Sequence, residues 1–482
     1  MRKIICILLY LVSFSVSYAK DLSNVYIQKT NIPSLYIETF NGEGIESRDV
    51  YKLCRLYFVE NANITSYDSV QIRGRGNASW TSFEKKPYRI KFKNKERFLG
   101  NKYAKAKNWV LLANGGEKLL IRNGIANYVS RLCNMPFTPA TVYVDLFVNG
   151  VYQGNYQISD FIDIRKKRVD IEEQDSIVTN DQANISGGYL LEFDGNNEEG
   201  ETYITTSTFN NIIRIHSPKP EVLSQFQIDY ITNHLNKFED ELLNIDLSSS
   251  YNTYRNYVDS TSLMGWYLTN EICANPDIFW QIYFYKERDD DKFYFGPVWD
   301  FDLGFNGDTR RGNNGDVREF LMADIEFGKP FFQEWFKALR KDKWWIKSQF
   351  EAFHQLYKEQ NLDSCMLNYV DSVVTTMRAS IDENYKVWGI SKPLHPIRDY
   401  RLYDTYDEYV DDLRDFIVKH NAYLYRRFEE IYQESCSNIK DFRNEIIKPL
   451  YYSIDGTRLN GPRKGIKIVL YPDGRSKKII VK

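Results

Sequence analysis

The sequence predicts an α+β protein of two lobes, strand-rich in its first half and helical in its second, with a small C-terminal β module. Three observations predict this. Residues 26–194 carry period-two alternation and hairpin signals. After about residue 209, helical periodicity takes over. A strand-rich island at 279–305 interrupts the helices, as a small sheet at the seam of two lobes would, with a cleft between them.

The opening residues are read separately. Arg2 and Lys3 precede an apolar stretch at 4–16, and Ser17-Tyr18-Ala19 supplies the small residues that a signal peptidase reads. The stretch is short for a membrane span, and no later stretch is apolar enough for one. The expectation is a signal peptide over 1–19 and an exported product, periplasmic, cell-surface or extracellular. The other expected units are a β-rich lobe over 20–208, a helical lobe over 209–440 that carries a β-hairpin, and the β module over 447–482.

Within the first lobe, residues 88–93 alternate strictly, with Arg89, Lys91 and Lys93 on one face and Tyr88, Ile90 and Phe92 on the other. Residues 109–113 form a compact apolar strand, and a helix is expected over 119–132. Segments 142–148 and 152–158 flank Asn149-Gly150, a strong hairpin signal. Gly187-Gly188 opens a strand at 189–193. In the second lobe, helices are expected over 222–243, 262–273, 330–339, 344–359, 366–385 and 406–433. The tail reads as short strands at 452–459, 465–470 and 478–481 with turns between them. It resembles the small C-terminal β module common on exported proteins of Bacteroidetes, and a β-rich cap on the main domain is the other reading.

Composition excludes some functions. A formal net charge of -2 over 482 residues offers no overall attraction to nucleic acid or an anionic membrane. The 36 tyrosines and 9 tryptophans suit ring stacking or a thick core without choosing between them. Beyond residue 19, Cys54, Cys133, Cys273, Cys365 and Cys436 are widely spaced and odd in number, so a disulfide framework is not expected, although one bridge is possible. The five histidines lack metal-ligand spacing.

The chemistry concentrates at 275–302. Asn275-Pro276-Asp277 ends a helix, a hairpin follows, and Gly296-Pro297-Val298 leads into Trp299-Asp300-Phe301-Asp302. An extended 299–302 segment projects Asp300 and Asp302 from one face, and the hairpin returns the chain so that Asp277 and Asp300 approach. Phosphoryl transfer from a nucleotide needs one carboxylate to take the acceptor hydroxyl's proton and another to hold magnesium on the phosphates. Gln281, four residues after Asp277, stands where a kinase carries an amide side chain.

An ordered set of blocks carries a resemblance. Arg73-Gly74-Arg75-Gly76-Asn77-Ala78-Ser79-Trp80 precedes Lys85-Lys86-Pro87-Tyr88-Arg89-Ile90-Lys91-Phe92. Lys107-Asn108-Trp109-Val110-Leu111-Leu112-Ala113-Asn114, Leu120-Ile121-Arg122-Asn123 and Val144-Asp145-Leu146-Phe147-Val148-Asn149-Gly150 follow. Gly187-Gly188-Tyr189-Leu190-Leu191-Glu192 and Gly296-Pro297-Val298-Trp299-Asp300-Phe301-Asp302 complete the series. Over residues 25–310 the chain resembles the CotH (spore-coat protein H-like) atypical protein kinases. The resemblance implies a bilobal, protein-kinase-like fold and use of ATP and Mg2+. It makes Asp300 the metal ligand and Asp277 the catalytic-loop carboxylate. Gln281 and Asp302 are further metal contacts, with Asp302 alternatively fixing the backbone. Arg89 and Lys91 reach phosphate, and Tyr294 stacks on adenine. Arg122 contacts phosphate or Asp300, or forms a buried ion pair.

The implied acceptor is a protein serine or threonine hydroxyl, with a glycan hydroxyl also open; nucleic acid is not an expected partner. Two departures stand out: Gln281 in place of the kinase asparagine, and Asp160 where the family often has glutamate. Two other functions compete. One is a non-catalytic adhesion or glycan-binding protein on the same scaffold. The other is a glycoside hydrolase using Asp277 and Asp300 as paired carboxylates. The run Asp289-Asp290-Asp291 reads as a solvated hairpin turn, and Arg73-Gly74-Arg75-Gly76 lacks phosphate-loop spacing, its glycines permitting tight turns with Trp80 as an anchor.

Overall fold

A computed structural model describes residues 22–174, 185–193, 199–278, 280, 282–307, 333–394, 402–446, 450–453, 458–459, 464–470 and 476–481. The expected signal peptide and Gln281 lie outside these residues. The architecture is mixed α+β, with a β-rich first half, a helical second half and a small C-terminal sheet.

Seven strands close a barrel: β1 (Ser34–Thr39), β2 (Lys52–Glu60), β3 (Asn63–Gly74), β4 (Tyr88–Glu96), β5 (Ala106–Leu112), β6 (Val142–Val148) and β7 (Val151–Asp160). Their order is β1-β2-β3-β4-β5-β7-β6, and a parallel β1–β6 pair completes the ring. Alternation fills the barrel: Ile90, Trp109, Leu111, Val144, Leu146 and Ile158 point inward and are sealed. On β4 the buried residues are Tyr88, Ile90 and Phe92, so Arg89 and Lys91 face outward as the pattern predicts. Asn149 and Gly150 both take positive φ, 49° and 76°, as a tight hairpin turn between β6 and β7 requires.

Helix α1 (Arg122–Leu132) leaves the barrel and packs under a second sheet. That sheet contains β8 (Tyr189–Phe193), β9 (Thr202–Thr205), β10 (Ile212–Ser217), β11 (Ile282–Lys286) and β12 (Phe293–Phe295), in the order β12-β11-β8-β10-β9. It therefore takes strands from both sides of residue 208, and the two halves of the chain share it. One face meets α2 (Gln225–Leu243), α3 (Ser260–Ile272) and α4 (Gln333–Leu339) through Phe193, Phe238, Phe284, Phe293, Phe295 and Trp335. Ser224 and Gln227 form a reciprocal capping box at the start of α2, and Asp259 caps α3 by accepting from the Ser262 amide at 2.7 Å.

Helices α5 (Lys343–His354), α6 (Leu362–Trp388) and α7 (Tyr406–Ile446) complete the helical half. The C-terminal end of α6 docks on β7: Asn155 Nδ2 donates to Ser380 Oγ at 2.9 Å, and Trp388 Nε1 donates to the Gln153 carbonyl at 2.9 Å. The tail forms a separate antiparallel sheet of β13 (Leu450–Tyr452), β14 (Arg458–Leu459), β15 (Gly465–Leu470) and β16 (Ser476–Val481). The expected 452–459 strand is corrected: β13 and β14 are two short strands that pair with each other, Tyr451 facing Leu459. Among the described residues no helix is long and apolar enough to cross a membrane.

Candidate active site

Strand β12 runs through the cis Gly296–Pro297 bond into the acidic segment. The expected extended run at 299–302 is corrected. Asp300 takes a left-handed φ of 62°, and a turn begins at Asp302. The cause is local. Phe301 N donates to Asn123 Oδ1 at 2.9 Å and the Phe301 ring is sealed in the core. The backbone therefore turns inward between two outward carboxylates. Aspartate tolerates this conformation better than most residues.

The segment before the hairpin is fastened to the segment after it. Phe305 N donates to the Cys273 carbonyl at 2.6 Å. The buried Asn275 side chain bridges the two: its Oδ1 accepts from Asp277 N at 3.2 Å and its Nδ2 donates to the Asp300 carbonyl at 3.4 Å. One amide thus spans the backbones of Asp277 and Asp300. Asp277 is half-buried and Asp300 exposed.

Arg75 connects this segment to a large cavity. Arg75 and Trp299 line both the small recess holding Asp300 and a cavity of about 810 Å³ between the barrel and the second sheet. Burial lowers the Arg75 guanidinium's pKa, while the charges of Asp300 and Asp302 oppose that shift. Its carbon lies 5.6 Å from the Trp299 ring centroid.

The two walls of the cavity differ in charge. On the second sheet, Glu192 is shared by His216 and Arg214, and Arg214 also meets Glu201 at 2.7 Å. On the barrel, Arg48, Arg73, Arg75 and Arg89 stand together. Among the described residues, none of these four has a carboxylate within ion-pair distance. Arg48 donates to the Gly76 carbonyl and to Asn77 Oδ1, Arg73 to the Arg48 carbonyl, and Arg89 to Asn108 Oδ1 at 3.1 Å. The Nε atoms of Arg73 and Arg89 are buried without hydrogen-bond partners among the described residues. Burial lowers the pKa of Arg89, and the charges of Arg73 and Arg75 push the same way. The barrel side thus carries four arginines without ion-pair partners among the described residues, with Asp49 and Asp163 also on the lining.

The remaining expected residues fall in different places. Lys91 directs its ammonium over the Tyr51 ring at 5.7 Å and does not line the cavity. Tyr294 is displaced toward the hairpin turn: its hydroxyl donates to Asp290 Oδ2 at 2.8 Å and its ring stacks on Tyr285. Tyr283, two residues before Tyr285 on the same strand face, is the ring of this hairpin that reaches the cavity. Arg122 takes the ion-pair alternative, with Nη1 at 3.3 Å from Glu117 Oε2. It sits behind the acidic turn, where a Cβ on Gly307 would lie 3.1 Å from its guanidinium carbon. Asp302 is half-buried beside Asp300.

Arg48, Arg75, Tyr283 and Trp299 line the cavity, and Asn123 and Asn275 brace the acidic segment, places that the sequence reading did not assign to them. The clearest available signal was Arg73-Gly74-Arg75-Gly76, set aside for its spacing. Its glycines do serve packing, since a Cβ on Gly74 would lie 2.4 Å from the Trp80 ring. The same tight turn aims the two arginines at the cavity.

Among the described residues no group of three or more His, Cys, Asp or Glu side chains converges as a metal site. Nucleotide-bound magnesium needs only one or two carboxylates, because the phosphates supply the other oxygens. Asp300 with Asp302, beside an arginine wall, fits that requirement. The family model described as CotH kinase protein matches residues 70–424, from β3 into α7 and more than half of the 482 residues. No curated protein matches the sequence.

Proposed function

The chain belongs to the CotH kinase protein family, and from that premise we propose that it is an ATP- and magnesium-dependent phosphotransferase acting on serine or threonine hydroxyls of exported proteins. One observation carries the reading: four arginines without ion-pair partners among the described residues form one wall of an approximately 810 Å³ cavity, next to two aspartates. Ligand sites of this kind occupy about 300–1,000 Å³, which admits a nucleotide. Desolvated cations lacking carboxylates favour a polyanion over a neutral sugar.

Each side chain then has a task. Arg73, Arg75 and Arg89 hold phosphate oxygens and orient them. Tyr283 and Trp299 offer ring faces on the same cavity. Asp300 and Asp302 would hold magnesium, which would offset the negative charge of the phosphates. Asp277 accepts the proton of the acceptor hydroxyl, and the Asn275 bridge keeps its backbone in register with Asp300. The charged, apolar and small residues at 1–19 support export.

Two variants test the division of labour. Asp300→Asn keeps a residue tolerant of left-handed φ, so the unliganded melting temperature stays within about 2 °C. Magnesium-dependent protection by ATP and phosphate transfer to a serine peptide are both lost. Asp277→Ala retains the ATP shift and loses transfer by about 10²–10⁴-fold, the span of a general base. A normal transfer rate in Asp300→Asn overturns the metal role.

A further inference from the structure

A separate cavity of about 160 Å³ opens where β7 meets the end of α6. Its walls include Phe83, Lys85, Glu117, Lys118, Asn384 and Trp388. Lys85 is 5% exposed, yet its ammonium has only neutral acceptors: the Asn155 carbonyl and, at 2.9 Å, Asn384 Oδ1. Among the described residues no carboxylate comes within ion-pair distance of it.

The anions acting on Lys85 are Glu117 and Asp145, and Glu117 pairs with Arg122 at 3.3 Å. Asp145 is held away by Thr30, Tyr152 and Ser380, whose hydroxyls all donate to it. At the rim, Lys392 and Glu84 neutralise each other at 2.6 Å. Lys85 thus stands without an ion-pair partner among the described residues, at a pocket with aromatic walls. A cavity of about 150 Å³ is known to accommodate a single benzene ring.

A hydrogen-bond path leads from this pocket to the acidic segment. Asn114, on the pocket wall, accepts through Oδ1 from Asn123 Nδ2 at 3.3 Å, and Asn123 Oδ1 accepts from Phe301 N at 2.9 Å. Phe301 stands between Asp300 and Asp302. We propose that this pocket binds a small monocarboxylate of about one ring in size against Lys85, and that its occupancy stiffens the Asp300–Asp302 turn through Asn114 and Asn123. The carboxylate supplies the anion that Lys85 lacks, and the ring fills the space between Phe83 and Trp388. Burial pushes the Lys85 ammonium down to about 7, which reflects how incompletely its present neighbours stabilise the charge.

The test uses the whole protein with benzoate as the probe and benzyl alcohol as its uncharged counterpart. Calorimetry should show one benzoate site, with benzyl alcohol at least tenfold weaker. Lys85→Met should abolish the site. Asn384→Asp, which keeps the acceptor at Oδ1 but sets a carboxylate against Lys85, should weaken benzoate at least tenfold and guards against a misfolded Lys85 variant. Benzoate should also slow amide exchange at residues 298–307 in the wild type. No benzoate binding, equal binding of benzyl alcohol, or undiminished binding in both variants overturns the site. Binding without any change in exchange at 298–307 overturns the coupling. None of these readouts involves a nucleotide, so their failure is distinct from failure of the kinase reading.

Discussion

Two arginines of the barrel lobe, Arg168 sealed and Arg89 half-buried, should respond differently to the same substitution. Arg168 is sealed: Nε meets Asp160 Oδ1 at 2.6 Å, Nη1 meets Asp163 Oδ1 at 2.9 Å, and Nη2 donates to the Asn108 carbonyl. In Arg168→Met, Asp160 keeps only the Ala140 amide as a partner, and its burial already raises its carboxyl pKa. Breaking such a pair costs about 3–5 kcal/mol, because the abandoned charge stays buried. At about 2 °C per kcal/mol the melting temperature falls by roughly 6–10 °C. Arg89→Met removes a guanidinium that has no ion-pair partner among the described residues. It loses the Asn108 bond and the Phe161 ring 3.9 Å away, together about 2–3 kcal/mol. It also relieves desolvation, the buried unpaired Nε and repulsion from Arg73 and Arg75, which is of similar size. The net change stays within about 1 kcal/mol, while the protection given by Mg-ATP weakens about 10- to 150-fold, the worth of one charge-assisted hydrogen bond. Thermal melts of both variants with and without Mg-ATP decide it. An Arg89→Met protein as damaged as Arg168→Met, with its ATP response intact, makes Arg89 a structural pillar and refutes the phosphate role.

Lys85 predicts a pH dependence. The unfolded chain keeps this proton to about 10.4 and the folded chain only to about 7. The unfolded state therefore binds more protons between those values, and stability rises with pH there, by about 2 kcal/mol from pH 7 to 9. Urea midpoints at the two pH values should show the rise in the wild type and a flatter profile in Lys85→Met; equal slopes in both refute the assignment. Gly154→Ala should destabilise by more than about 2 kcal/mol, since φ is +102° and a Cβ would lie 2.4 Å from Asn384 Oδ1 and 2.9 Å from Trp388 Nε1. A melting temperature unchanged by that methyl would mean that β7 and α6 are not in close contact.

Local pattern carried much of the fold, and long-range pairing carried the rest. The strand at 189–193 and the hairpin at Asn149-Gly150 were legible because alternation and turn chemistry act within a few residues. Strands β9 and β10 were not anticipated. They flank residue 209, where helical periodicity was expected to begin; they pair with each other, and only β10 is joined to the rest of the sheet, through β8. Barrel closure through β1 and β6 joins segments more than a hundred residues apart, which no local window reports. At the site, the acidic residues were visible as residue types, but their surroundings were not. That Tyr283 rather than Tyr294 reaches the cavity depends on how far along β11 the barrel wall comes, and that Arg75 faces Asp300 depends on a turn around Trp80.

The packing between the aspartates explains why the site tolerates its own backbone. Ala274, Asp300, Phe305 and Asn306 all take left-handed φ, between 46° and 64°, within two short segments. Each such residue costs on the order of 1 kcal/mol or more. What offsets this is apolar: Phe301, Leu303 and Phe305 are almost fully buried, and burying side chains of this size contributes about 1.5–3 kcal/mol each. Charged and apolar residues alternate along 300–303, so each core contact that turns the chain inward also turns a carboxylate outward. The position of the acidic groups is therefore a by-product of how the core is filled. A substitution such as Phe301→Ala should move Asp300 and Asp302 as well as leave a void, and so damage nucleotide response beyond what its loss of stability accounts for.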